Sequence, residues 1–321
     1  EKTILSGPGT RPAAREASLL VFTGGETAAA VVRGFTIRNG RGTLLDGSRA
    51  GGALICIKSS PTIEGNIFTG NEADTGGAAC LQDSEAKFIG NRFTSNRARA
   101  GGAIHISSGS LALLSKNSFT DNRAPQGGAV HIDSAGALIY GNRMVANRAF
   151  SGGAIRIISA APEAPNRPWL TSLSRNRLYG NTARSGGAIL VEGACRLLST
   201  RDLVAGNIGG GLSLLSGARA ELDHATIVDN RLGKGALSSE PGSPLAVRNS
   251  ILWGNRPLDL AGELSWSLVE TEAFAGGTNL RALPLFRPPY SEWERCGDRG
   301  GLCVPILRPD AKTLDPDNQG L

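Results

Sequence analysis

The sequence predicts an all-β fold: a single-domain right-handed parallel β-helix of about nine to ten rungs, with three short strands per rung and a C-terminal cap. Three observations predict it. First, Gly-Gly-Ala recurs at 51–53, 76–78, 101–103, 127–129, 152–154 and 186–188, in steps of 25, 25, 26, 25 and 34 residues. Second, an Asn column keeps the same period through Asn71, Asn96, Asn122, Asn147, Asn181, Asn207, Asn230 and Asn255. Third, Gly makes up 44 of 321 residues and aromatics only 5%, yet 40% of the chain is apolar. That balance is wrong for an ordinary globular core and suits strands separated by tight turns.

Each rung is legible in order. Gly-Gly-Ala opens it and leads into apolar-any-apolar, as in Ile104-His105-Ile106. A second apolar column follows, Ile63, Phe88, Leu114, Ile139 and Leu173, with Leu222 and Val247 farther on. An Asn lies three residues after each of the first five: Asn66, Asn91, Asn117, Asn142 and Asn176, and then Asp202 takes that place. The third segment carries Phe68, Phe93, Phe119, Met144, Leu178, Val204, Ile227 and Leu252, again with Asn three residues on. Alternation with period two over so few residues means strand, not helix. One rung cannot bury its apolar side, but stacked rungs can, and like residues then form ladders about 4.8 Å apart. Gly-Gly supplies a turn needing positive φ, or a place where no side chain fits. About nine rungs make a shaft of roughly 40–45 Å.

The β-helix is assigned to residues 1–282. KTILSG and residues 31–39 form irregular early rungs, and loop insertions fall near 40–50 and 160–169. From Leu283 the period fades and Pro becomes frequent, which predicts a cap over 283–308 containing Phe286, Tyr290 and Trp293. Cys296 and Cys303 bracket CGDRGGLC there and make a candidate disulfide. Residues 309–321 are expected to be a tail or linker. With five Cys, at least one is free or paired to another chain. No apolar stretch of about 18 residues exists, so no membrane-spanning helix is expected. The first residues, EKTILSG, carry no signal-peptide pattern, and Glu1 is expected to follow a removed segment.

A net charge of +6 favours acidic partners, against the plainer reading of an Arg-rich solvated surface. The best local cluster is the outward column of the first strand: Ile55, Cys80, His105, His131, Arg156 and Leu190. A lyase reading makes His105 or His131 the proton-abstracting base, with Arg156 neutralising a uronate carboxylate. A metal reading takes Cys80, His105 and His131, but a straight column is poor geometry for zinc, and neither metal nor cofactor is expected. The plain alternative is three polar residues on an exposed strand face. A second column, Arg97, Arg123 and Arg148, follows the corner Asn in three consecutive rungs, with Arg231 and Arg256 farther along. Arg92, Arg143 and Arg177 recur at another turn position. Stacked Arg repel unless solvated, paired or bound to an anion, and an acidic polysaccharide along the shaft would satisfy them. Nucleic acid is not expected, because exposed aromatics for base stacking are not evident.

GGAI at 101–104, 152–155 and 186–189, with FTGN at 68–71, FTSN at 93–96 and FTDN at 119–122, resembles the polymorphic outer membrane protein repeat of chlamydial and other bacterial surface proteins. The resemblance covers about residues 50–255 and implies a pectin-lyase-like right-handed β-helix with surface display, adhesion or secretion. Such proteins often carry an autotransporter barrel, for which this chain has no room. NSILWGN and GGTNLRALPLF look like the closing rungs of other bacterial β-helix proteins. The Asn-Thr-Asp, Asp-Asp and Gly-His-Gly by which galacturonan hydrolases of this shape resemble one another do not occur. The expectation is an extracellular or outer-surface protein, non-catalytic, that adheres, binds glycan or serves as a stalk. The alternative is a polysaccharide lyase or glycoside hydrolase, and the oligomeric state stays open.

Overall fold

The computed structural model describes residues 3–7, 17–159, 169–233, 235–257, 263–265, 267–269 and 278–279. Within them the chain winds into a right-handed parallel β-solenoid. Three parallel sheets of nine, ten and eleven strands run its length. One rung serves for all: Ile104–Ser107 lies in the first sheet, Leu111–Ser115 in the second and Ser118–Thr120 in the third. Nine rungs hold all three strands, so eight full turns separate first from last.

Register is what the ladders require. Phe68, Phe93 and Phe119 pair in line, with ring centroids 4.8 Å apart and planes within 6°. That separation is the rung spacing itself. The side chains are fully buried, as are the neighbouring Ile63, Phe88 and Leu114 of the second sheet. Ile155 pairs with Ile189, so the rung resumes in phase across the long repeat.

The corner Asn residues are buried and satisfied by their neighbours. Asn96 donates from its backbone N and from Nδ2 to Oδ1 of Asn122, at 3.1 and 3.0 Å, and from Nδ2 to the Phe68 carbonyl at 3.0 Å. The same pattern repeats from Asn71 to Asn230. A buried amide without such partners would cost about 1–3 kcal/mol per rung. The two glycines of each repeat have different jobs. Gly101 has φ +65, a left-handed conformation that side chains disfavour. Gly102 has no such φ, but a Cβ there would run into the carbonyl oxygen of Gly128 and the backbone of Arg123 in the next rung.

Two expectations need correction. Residues 40–50 are not simply a loop: Thr43–Leu45 and Ser48–Ala50 form an antiparallel hairpin. Leu45 and Ala50 of that hairpin pack with Ile55 and Cys80 in a small cluster outside the main core. Arg92, Arg143 and Arg177 occupy not a turn but the first position of third-sheet strands. The second-sheet apolar column also breaks at Ser199, which pairs between Leu173 and Leu222. Ser199 donates at 2.6 Å to Asp202, the residue that replaces Asn in the corner below. The 160–168 insertion, the 283–308 cap with Cys296 and Cys303, and the 309–321 tail lie outside the described residues.

Candidate functional site

Between the third and first sheets each rung turns through four residues: Asn-Glu-Ala-Asp at 71–74, Asn-Arg-Ala-Arg at 96–99, Asn-Arg-Ala-Pro at 122–125, Asn-Arg-Ala-Phe at 147–150 and Asn-Thr-Ala-Arg at 181–184. The Asn side chain turns inward to the ladder. The residue after it forms single parallel bridges from rung to rung, Glu72 to Arg97 to Arg123 to Arg148 to Thr182. Those side chains therefore stand in one outward row, and Arg97, Arg123 and Arg148 are exposed. Next comes a row of Ala, and then a row of mixed residues, Asp74, Arg99, Pro125 and Phe150. Together they line an open groove of about 640 Å³. The Ala row forms its floor and the other two rows its walls. Phe150 is 59% exposed and lies under the Arg184 guanidinium, 5.3 Å from its ring centroid.

Charge is distributed unevenly along this groove. At its low end Glu72 pairs with Arg41 at 2.5 Å and Asp74 with Arg99 at 3.2 Å. Arg123 reaches Asp121 at 3.1 Å. Among the described residues, Arg97 and Arg148 have no carboxylate within ion-pair distance. Two like charges about 4 Å apart repel by only about 1 kcal/mol in water, so the row is tolerable in solvent and relieved by an anion. Above Arg148 the row is interrupted by Thr182 and Ile208 and resumes at Arg231 and Arg256.

The other predicted column is also brought together, with a different character. Cys80, His105, His131 and Arg156 pair in consecutive rungs of the first sheet. The imidazole centroids are 5.2 Å apart with planes at 30°. These side chains are not on an exposed face, as expected from their outward register: His105 is 8% and His131 3% exposed. Burial pushes the His105 pKa down to about 4, against a small opposing pull from Asp133. Burial also drives His131 well below the ordinary range, and the neighbouring His105 and Arg156 add to it. Both rings are neutral at pH 7, and neither Nδ1 has a partner. Arg156 donates from Nη2 to Glu192 at 2.7 Å. The Cys80 thiol is pushed up to about 11 by burial, with the Thr75 hydroxyl 3.8 Å away. Among the described residues no group of three or more His, Cys, Asp or Glu is placed to hold a metal ion.

Sequence reasoning found the Arg row but missed the opposite wall and the floor. The repeated Asn-Arg-Ala was the available signal, since Ala follows Arg97, Arg123 and Arg148 alike.

A three-sheet solenoid with a charged groove along one corner is the class that fold and site define. The chain belongs to the right-handed β-helix family: the family model described as right handed beta helix region matches residues 20–167 and again 53–232. No curated protein matches the sequence, and no solved structure does either.

Proposed function

We propose that this chain is a non-catalytic β-helix shaft, secreted or displayed on a bacterial surface, that binds an acidic polysaccharide along the Arg97–Arg123–Arg148 groove. The observation that carries the proposal is the row itself. Three exposed guanidinium groups stand on consecutive rungs beside an Ala floor, and among the described residues two of them lack a carboxylate partner. Guanidinium forks pair well with carboxylate and sulfate groups. Phe150 and Pro125 on the facing wall offer apolar surface to a sugar ring. The likeness of GGAI and FxxN to the polymorphic outer membrane protein repeat supports surface display. A glycan array tests the reading. Binding to acidic polymers that weakens with salt and disappears in Arg123→Ala/Arg148→Ala supports it, and unchanged binding in that variant removes the groove from consideration.

One observation favours a lyase as second reading. His105 and His131 are neutral, as a general base must be, and Arg156 stands one rung away. Their burial works against it, because a base must reach its substrate. Following the absorbance of unsaturated ends during incubation with uronate polymers decides between the two readings. Product formed by the parent chain and lost in His131→Ala would establish the lyase.

A further inference from the structure

The outward face of the second sheet carries an apolar patch with charges at both ends. Leu111, Leu138, Tyr140 and Leu170 stand on three consecutive rungs and are 40–48% exposed. Leu113 and Leu198 lie half-buried among them. Among the described residues no strand crosses this face. Apolar side chains left contiguous in water over several rungs mark a contact surface. The charges around the patch follow the register. Its central column reads Lys87, Leu113, Leu138, Ser172, Leu198 and Glu221 in successive rungs. In the column before it, Glu85 lies beside Leu111 at the low end, because Leu111 donates to the Ser84 carbonyl and Leu113 to the Ala86 carbonyl. Arg196 and Arg219 close that column at the high end. Lys87, Glu85, Arg219 and Glu221 are all exposed. Read from one end the two columns open with a cation and an anion, and read from the other they open with the opposite signs.

We infer that two copies of this chain pack face to face through the second sheet, with their shafts antiparallel. The twofold axis runs along the strand direction, between the rungs of Leu138 and Ser172. Leu113 then meets the partner's Leu198, Lys87 meets the partner's Glu221, and Glu85 meets the partner's Arg219. Symmetry supplies each contact twice. Leu170 falls over the partner's Gly136, which has no side chain to oppose it. The parallel arrangement is disfavoured by the same charges, since it sets Lys87 against Lys87 and Glu221 against Glu221. Glu221 pairs with Arg196 at 2.6 Å within the chain, and both side chains are 42–53% exposed, so the partner's Lys87 joins that pair from the solvent side. From Lys87 to Glu221 is five rung steps, about 24 Å, and the outward columns together are about 13 Å wide. That footprint is small for a permanent dimer and suits one with a dissociation constant of about 10 μM. The Arg97–Arg123–Arg148 groove, at the corner between the other two sheets, stays open on both copies.

Sedimentation velocity of the full chain at concentrations up to about 100 μM tests the dimer. The parent is expected to pass from monomer to dimer over this range. Leu138→Glu/Leu170→Glu is expected to stay monomeric, with the parent's far-UV circular dichroism, because both side chains are exposed. Lys87→Glu and Glu221→Lys are each expected to weaken the dimer about tenfold, and Lys87→Glu/Glu221→Lys together to restore it to within about threefold of the parent. Three results overturn the proposal. One is a parent chain that stays monomeric throughout. Another is a dimer that Leu138→Glu/Leu170→Glu leaves intact. The third is a double charge swap that dimerises no better than the single variants, which would remove the antiparallel pairing.

Discussion

Two columns of side chains leave this shaft with the same spacing and meet opposite fates. Arg97, Arg123 and Arg148 stand in solvent. His105 and His131, a few residues farther along the same rungs, are enclosed, with Arg156 largely so, and burial disfavours charge on the imidazoles. Repetition decides which residues stack on one another. Exposure is decided by what lies beside each stack, so equal periodicity does not mean equal chemistry.

The strongest way to break the comparison acts on both columns at once. Gly102 lies between them, and Gly102→Ala drives a Cβ into the next rung's backbone. The expected loss is about 3 kcal/mol or more, read by chemical denaturation. Acid separates the columns. A buried His with a depressed pKa holds fewer protons folded than unfolded between about pH 6.5 and 4, so stability falls as pH drops through that window. His105 alone accounts for up to about 3 kcal/mol. Thermal unfolding followed from pH 7 to 4 should show the decline, and His105→Leu/His131→Leu should flatten it. A third stack sharpens the point. Burial pushes Asp202 up to about 6, so its folded form retains a proton that the unfolded chain releases. Stability then falls as pH rises from 3.8 through 6. Asp202→Asn should stabilise the protein by roughly 1–3 kcal/mol at pH 8 and by little at pH 4. The smallest effect belongs to the open column. Arg123→Ala/Arg148→Ala should change stability by less than about 0.5 kcal/mol while removing polyanion binding.

The fold was legible because a solenoid writes its contacts into its period. Phe93 stacks on Phe68 and Phe119 since 25 and 26 residues are one turn. The Asn ladder was legible for the same reason. Ser199 was passed over because its compensation lies in Asp202, three residues away and in another role. The 43–50 hairpin was hidden by its Gly-rich composition, which suits a loop as well as a tight turn. The groove was half legible: charge draws attention to Arg123, while Ala124 gives no chemical signal until the rungs are stacked. Burial of the His pair could not be read at all, since an outward register says nothing about what covers it.

The corner amides also give the shaft an arrow. Every Asn from Asn96 to Asn255 offers its Oδ1 to the rung before it, and from Asn71 to Asn230 each gives N–H and Nδ2 hydrogens to the rung after. At the start of the column Asn71 Oδ1 accepts from the Gly40 backbone N–H at 3.0 Å, so a backbone group completes the direction there. Flipping any one amide would set donor against donor on one side and acceptor against acceptor on the other, so each Asn fixes the orientation of its neighbours.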